Sequence, residues 1–229
     1  MVHTFANPWI LTLHLIALLI WLGHMLVLSR LAGHQAVEGN PSVLAFLRRS
    51  WLRGSMPALF AVLVTGLLML HGVGSASLAT PGDALYHYFK PKLPDGSVKF
   101  WYVTFHVKLV SFTLLLLGDV WLGMRIRGMV KGNAPGKGIA FAVWMAVCWA
   151  VLGMVVPTLL LSWLHVPSFR LIGYGFMAVA AAAAFFGARK AVASGGRAPF
   201  VAMDATTGAL VALVISLVVA KPLAMGWPT

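Results

Sequence analysis

The stretch Phe100–Trp121, FWYVTFHVKLVSFTLLLLGDVW, decides what kind of protein this is. At about 1.5 Å of rise per residue its apolar run is long enough to cross the roughly 30 Å hydrocarbon core of a bilayer as one helix. Yet His106 and Lys108 stand well inside it, and Asp119 lies near its far end. A charge at the centre of a span costs roughly 2.5–3.5 kcal/mol to insert, and such residues usually mark a function.

The rest of the chain reads the same way. Of its 229 residues, 60% are hydrophobic and only 10% are charged, with a mean hydropathy of +0.90. A soluble domain of this length has no means of hiding so much apolar surface, so the chain reads as an integral membrane protein. Spans of about 20 residues can be drawn at 9–30, 56–75, 100–122, 139–163, 169–188 and 206–225. The expected fold is therefore all-α: a polytopic transmembrane helix bundle of about six spans, forming one membrane domain over residues 1–229 without an internal repeat. The opening MVHTFANPW carries no Lys or Arg and runs into a long apolar segment, unlike a cleaved signal peptide.

The formal net charge is +12. In a soluble chain that would suggest nucleic acid. Here the basic residues gather between spans, so they report topology, and no nucleic-acid partner is expected. Arg30, Arg48, Arg49, Arg53, Arg125, Arg127, Lys131, Lys137, Arg189, Lys190 and Arg197 fall on one side. Lys90, Lys92, Lys99, Arg170 and Lys221 fall on the other. The positive-inside rule then puts the first set in the cytoplasm and both termini outside, as in a multi-pass protein of the bacterial cytoplasmic (inner) membrane. Trp9, Trp101, Tyr102, Trp163 and Trp227 would form the outer aromatic belt. The single cysteine, Cys148, excludes an intrachain disulfide or a cysteine-based metal centre. The fifth span, rich in Ala and Gly, should pack closely through small residues.

With this topology three spans place an imidazole at similar outer depth. His14 lies roughly 9 Å below Pro8, His106 roughly 7–8 Å below Trp101, and His71 roughly 6 Å from the end of the second span. Neutral imidazole binds heme iron, copper and zinc, and a heme b wedged between helices takes one or two histidines. His14 and His106 are accordingly the expected ligands, with His71 able to join them or sit at the interface. Copper is the alternative, because Met69 lies two residues from His71 and the loop histidines His3, His87 and His165 offer an entry path. His14 and Trp21 share a helix face. His24 is about 80° round and 15 Å deeper, open to a second cofactor, to a place beside a propionate-binding Arg, or to a packing role. Lys108 points about 160° away from His106 and either binds an anion or snorkels outward. Asp119, about 16 Å from Lys108 along the helix, is expected to pair with an inner-side Arg. The chain has no GxGxxG, phosphate loop, CxxCH or HExxH. With only five acidic residues, none of them paired inside a span, a carboxylate-driven ion pump is unattractive.

LHLIALLIWLGHMLVLSRL resembles the first helix of the HemJ family of bacterial membrane protoporphyrinogen IX oxidases. That helix carries His, then Trp, then Arg at the spacing of His14, Trp21 and Arg30. FHVKL resembles the family's His-x-Lys, here His106 and Lys108, and LVVAKP its closing Lys-Pro, here Lys221 and Pro222. RRSWLRGSMPALFAVLVTGL, with Thr65–Gly66, is similar to the related copper-resistance protein D group. The likeness covers spans one to three and the last, leaving 139–188 as an inserted helical pair. The family commonly has about four spans, and RAPFVAMDATTG stands where it has Asn-Glu.

The resemblance implies a heme-b redox protein, with protoporphyrinogen oxidation as the enzymatic expectation. Electrons would pass from that donor or another to a quinone or a respiratory partner. Trp21 would pack on the porphyrin, and Arg30 and Lys108 would hold carboxylates. The alternatives are a copper-handling protein using His14, His71, His106 and Met69, and a structural subunit of a larger membrane complex. The Ala-rich span would offer its flat face to a partner or to a second copy in a homo-oligomer, and lipid surrounds the whole.

Overall fold

The computed structural model describes residues 8–70, 100–132, 138–164 and 169–225. Among these there is helix and no strand. The elements are α1 (Pro8–Glu38), α2 (Pro41–Ser50), a π-helical turn (Trp51–Ser55), α3 (Met56–Leu70), α4 (Phe100–Val130), α5 (Ile139–Trp163), α6 (Phe169–Ser194) and α7 (Ala198–Met225). Six stretches are long and apolar enough to cross a membrane: Trp9–Ala36, Pro41–Met69, Phe105–Val130, Ile139–Leu161, Arg170–Ser194 and Ala198–Leu217. The chain is thus an all-α polytopic membrane protein. Within the most apolar window of each span only 11–39% of the residues are buried by protein. The remaining apolar surface, including Leu19, Phe60, Leu171, Val179 and Phe186, is what hydrocarbon covers at no cost.

The span boundaries differ from those drawn on the sequence. The second span starts at Pro41 rather than 56, so Arg48, Arg49 and Arg53 stand on helix, not in a connection. The final helix starts at Ala198 rather than 206, and Arg30, Arg125, Arg127, Arg189 and Lys190 are also helical. The apolar limit of a sequence marks the hydrocarbon edge, whereas the backbone keeps its internal hydrogen bonds into the headgroup layer. Long cationic side chains at such ends reach polar surroundings.

What stops α1 and starts α2 is local chemistry. Gly39 takes φ +66°, a left-handed conformation that favours glycine, and its N–H returns to Gln35 O at 2.8 Å. Asn40 then caps α2, its Oδ1 accepting from Ser42 N at 3.0 Å and Val43 N at 3.4 Å. Pro41 occupies the first helical position, where no N–H is needed. The π turn has a similarly direct cause. Pro57 has no N–H for the Arg53 carbonyl, and its ring crowds that carbonyl. The helix widens by one residue just before it, with Met56 N–H reaching Trp51 O.

The chain falls into two compact units. The described part of the first comprises residues 8–27, 49–70 and 100–106; Trp21, Met25, Leu59 and Val62 are buried there. That of the second comprises 28–48, 107–132, 138–164 and 169–225. Its core is aromatic: Trp121 stacks on Phe141 at 4.4 Å, Phe141 on Trp144 at 5.8 Å, and Phe200 lies 6.0 Å from Trp121. An indole N–H is costly to leave unpaired away from water. Trp144 Nε1 donates to Leu114 O at 2.8 Å, and Trp149 Nε1 to Thr206 Oγ1 at 3.0 Å. The expected small-residue packing of the Ala-rich helix is present. A methyl group placed on Gly153 of α5 would lie 2.8 Å from Ala180 Cβ and 2.9 Å from Phe176 O of α6, closer than such atoms approach.

Candidate functional site

The first unit places the best-defined histidine of the chain. His14 lies on α1, half-buried, with its Nδ1 2.9 Å from Thr65 Oγ1 on α3. Thr65 Oγ1 is also 2.6 Å from Ala61 O and 3.2 Å from Val62 O. A threonine inside a helix turns its hydroxyl back onto a carbonyl one turn earlier, so this arrangement follows from its position in α3. The next residue, Gly66, is next to the ring: a methyl there would sit 3.4 Å from His14 Cε1, an ordinary contact distance.

A hydroxyl has one hydrogen and two lone pairs. The Thr65 hydroxyl donates to Ala61 O, 2.6 Å away, so the side of its oxygen toward His14 Nδ1 carries lone pairs. An imidazole that binds a metal through one nitrogen usually has the other held by an outer partner.

His24, ten residues along α1, is bound differently. Its Nε2 lies 2.9 Å from Ser50 Oγ. Its Cε1–Nδ1 edge occupies the space that a side chain on Gly54 would need, with Nε2 3.0 Å from that position. Ser50 and Gly54 are one turn apart, so hydroxyl and notch face the ring together. One nitrogen is hydrogen-bonded and the other lies against helix backbone. Of the readings open in the sequence, which are a second cofactor, a place beside a propionate-binding Arg and a packed histidine, this geometry fits the packed one.

His106, also of the first unit, is half-buried, and Phe105 meets it edge-on at 5.4 Å between ring centroids. Trp21 is fully covered by protein. In the second unit Lys108 is half-buried and Asp119 is fully buried. Arg30 pairs with Asp204: Nε to Oδ2 is 2.9 Å, with side chains 74% and 17% exposed. The guanidinium carries five N–H donors, and this pair uses the one on Nε. Ser29 donates to Phe200 O at 3.4 Å beside it. His34 bonds Glu38 at 3.1 Å, one turn away. His71, with the loop histidines His3, His87 and His165, lies outside the described residues. Among the described residues no three His, Cys, Asp or Glu side chains gather to hold a metal ion.

Thr65, Ser50, Gly54 and Asp204 are the residues that spacing alone did not attach to their partners. Thr65–Gly66 stood out in the sequence only through a resemblance. Asp204 was visible as an isolated acid, but its partner is 174 residues away. Ser50 and Gly54 fell in what reads as a loop, because the apolar run begins at Met56.

The chain matches no family model, no curated protein and no solved structure.

Proposed function

We propose that this chain is a heme-b-binding redox protein of the bacterial inner membrane. It would pass electrons from protoporphyrinogen IX or another donor to a quinone or a respiratory partner. The observation that carries this reading is His14: a half-buried imidazole on a membrane-spanning helix, with Nδ1 2.9 Å from the Thr65 hydroxyl. Heme b asks little of a protein by way of ligands, one or two histidines being sufficient. A bare copper or zinc ion asks for several donors together, and His71 and the loop histidines that would supply them lie outside the described residues. His14 is the first ligand in this reading and His106 the second.

The group, when bound, supplies one-electron exchange. The chain's own residues hold and tune it. Thr65 orients His14, and the apolar spans keep the surroundings dry and of low dielectric. The asymmetry of Lys and Arg between the two sides supports both termini lying outside.

The test is an absorption spectrum of detergent-purified protein, oxidised and dithionite-reduced, for the native chain and for His14→Ala and His106→Ala. A b-type spectrum that either substitution abolishes supports the reading. A colourless protein in which metal analysis finds copper overturns it in favour of copper handling. A protein with neither leaves a structural subunit as the better account.

A further inference from the structure

We infer that Thr65 is a positioning residue: it fixes His14 as the Nδ1–H tautomer and so selects Nε2 as the coordinating nitrogen. What Nε2 coordinates rests on the heme reading, whereas the tautomer itself does not. In water the Nδ1–H and Nε2–H forms of a neutral imidazole interchange, and a surrounding hydrogen bond decides between them. The Thr65 hydroxyl has spent its only proton on Ala61 O at 2.6 Å, so at 2.9 Å from His14 Nδ1 it has only a lone pair to offer. The Val62 carbonyl, 3.2 Å from the same hydroxyl, is also a backbone hydrogen-bond partner of His14 and favours the same Nδ1–H form. An Nε2–H tautomer would set the lone pair of Nδ1 against the lone pairs of Thr65 and forfeit the bond. The threonine thus sets the protonation of the ring.

The inference separates Thr65 from a merely structural threonine. Its hydroxyl would satisfy itself on α3 without any histidine, as Thr113 does with Leu109 O at 2.9 Å. Only a directing role ties the proton position of His14 to the identity of residue 65. Valine keeps the shape of threonine but has no acceptor, and serine keeps the acceptor.

The experiment is nitrogen-15 NMR of the full-length, heme-free protein in lipid nanodiscs. The histidines are isotopically labelled, and the pH is about 9, where imidazole is neutral. His14→Gln assigns the His14 signals by their loss. The expected native spectrum shows a protonated Nδ1 and an unprotonated Nε2 for His14. Thr65→Ser keeps that pattern, and Thr65→Val turns it into a mixture of tautomers or into Nε2–H. A native Nε2–H form overturns the inference whatever the variants do, and so does an unchanged pattern in Thr65→Val. Where Thr65→Val fails to fold by circular dichroism, Thr65→Ala makes the same test.

The second arm reconstitutes heme. Thr65→Val should weaken heme retention roughly 10- to 100-fold, as loss of an outer-shell partner does. It should also raise the midpoint potential, because an imidazole without an acceptor on Nδ1–H donates less electron density. Thr65→Ser should restore both. A native chain that shows the expected tautomer but takes up no heme overturns the heme reading and leaves the positioning role supported.

Discussion

Gly54→Ala is the substitution that tests the histidine geometry most sharply. In the middle of a helix this change ordinarily stabilises, because alanine is favoured over glycine by about 1 kcal/mol. Here the new methyl would overlap the Cε1–Nδ1 edge of His24, and Nε2 would lie 3.0 Å away. The atoms facing it belong to a ring that Ser50 holds at 2.9 Å, so the ring must leave that hydrogen bond to make room. Losing the bond costs about 0.5–1.5 kcal/mol. Forcing a methylene's worth of volume into a filled site typically costs about 1–3 kcal/mol. Set against the helix preference, the net loss is about 1–3 kcal/mol.

The assay is equilibrium unfolding in mixed micelles of rising SDS fraction, followed by far-ultraviolet circular dichroism. The cycle is completed with His24→Ala and the double variant. His24→Ala alone loses the bond and leaves a void. In the double variant the alanine methyl enters space the ring has left, so the two effects should fall short of their sum by about 1 kcal/mol or more. A Gly54→Ala protein as stable as the native one would refute the reasoning. Strict additivity would refute it equally.

Two further outcomes follow from the second unit. Gly153→Ala should destabilise by about 1–3 kcal/mol, because its methyl meets Ala180 Cβ at 2.8 Å and the Phe176 carbonyl at 2.9 Å, the latter being backbone that has no rotamer to change. Gly175→Ala and Gly187→Ala, where nothing lies within 4 Å, should be neutral or stabilising by up to about 1 kcal/mol in the same unfolding assay. Between Arg30 and Asp204 a double-mutant cycle with Arg30→Gln and Asp204→Asn should give a coupling of about 0.2–1 kcal/mol. The guanidinium is 74% uncovered by protein, and a coupling this small places it among headgroups and water. A value above about 2 kcal/mol would place the pair in hydrocarbon instead.

How much of this was legible in the sequence depends on the range of the interaction. The six spans and the all-α class are set by runs of apolar residues, a local property, and both were readable. The span ends were not, because helix termination depends on caps such as Asn40 and on left-handed Gly39, while hydropathy reports only where hydrocarbon stops. The start at Pro41 was hidden by Arg48, Arg49 and Arg53, which look like a loop to any measure of hydropathy. The contact between the Ala-rich helix and its neighbour was readable in kind. The close approach at Gly153 was not, because which residues meet depends on the rotation of both helices.

The histidines show the same division more exactly in chemical terms. Depth along a span follows from counting residues, and it grouped His14 with His106 and His71 while leaving His24 undecided. What separates His14 from His24 is which nitrogen is engaged, and by what. Nδ1 of His14 lies 2.9 Å from the Thr65 hydroxyl, which is itself bonded to Ala61 O. Ser50 engages Nε2 of His24, while Gly54 brings helix backbone up to the other edge. Two imidazoles on one helix are therefore held through different nitrogens. The partners lie 51 and 26 residues away, on segments whose rotation about their own axes the sequence does not encode locally. Which nitrogen of each ring is engaged is therefore set by a hydroxyl on another segment, Thr65 for His14 and Ser50 for His24.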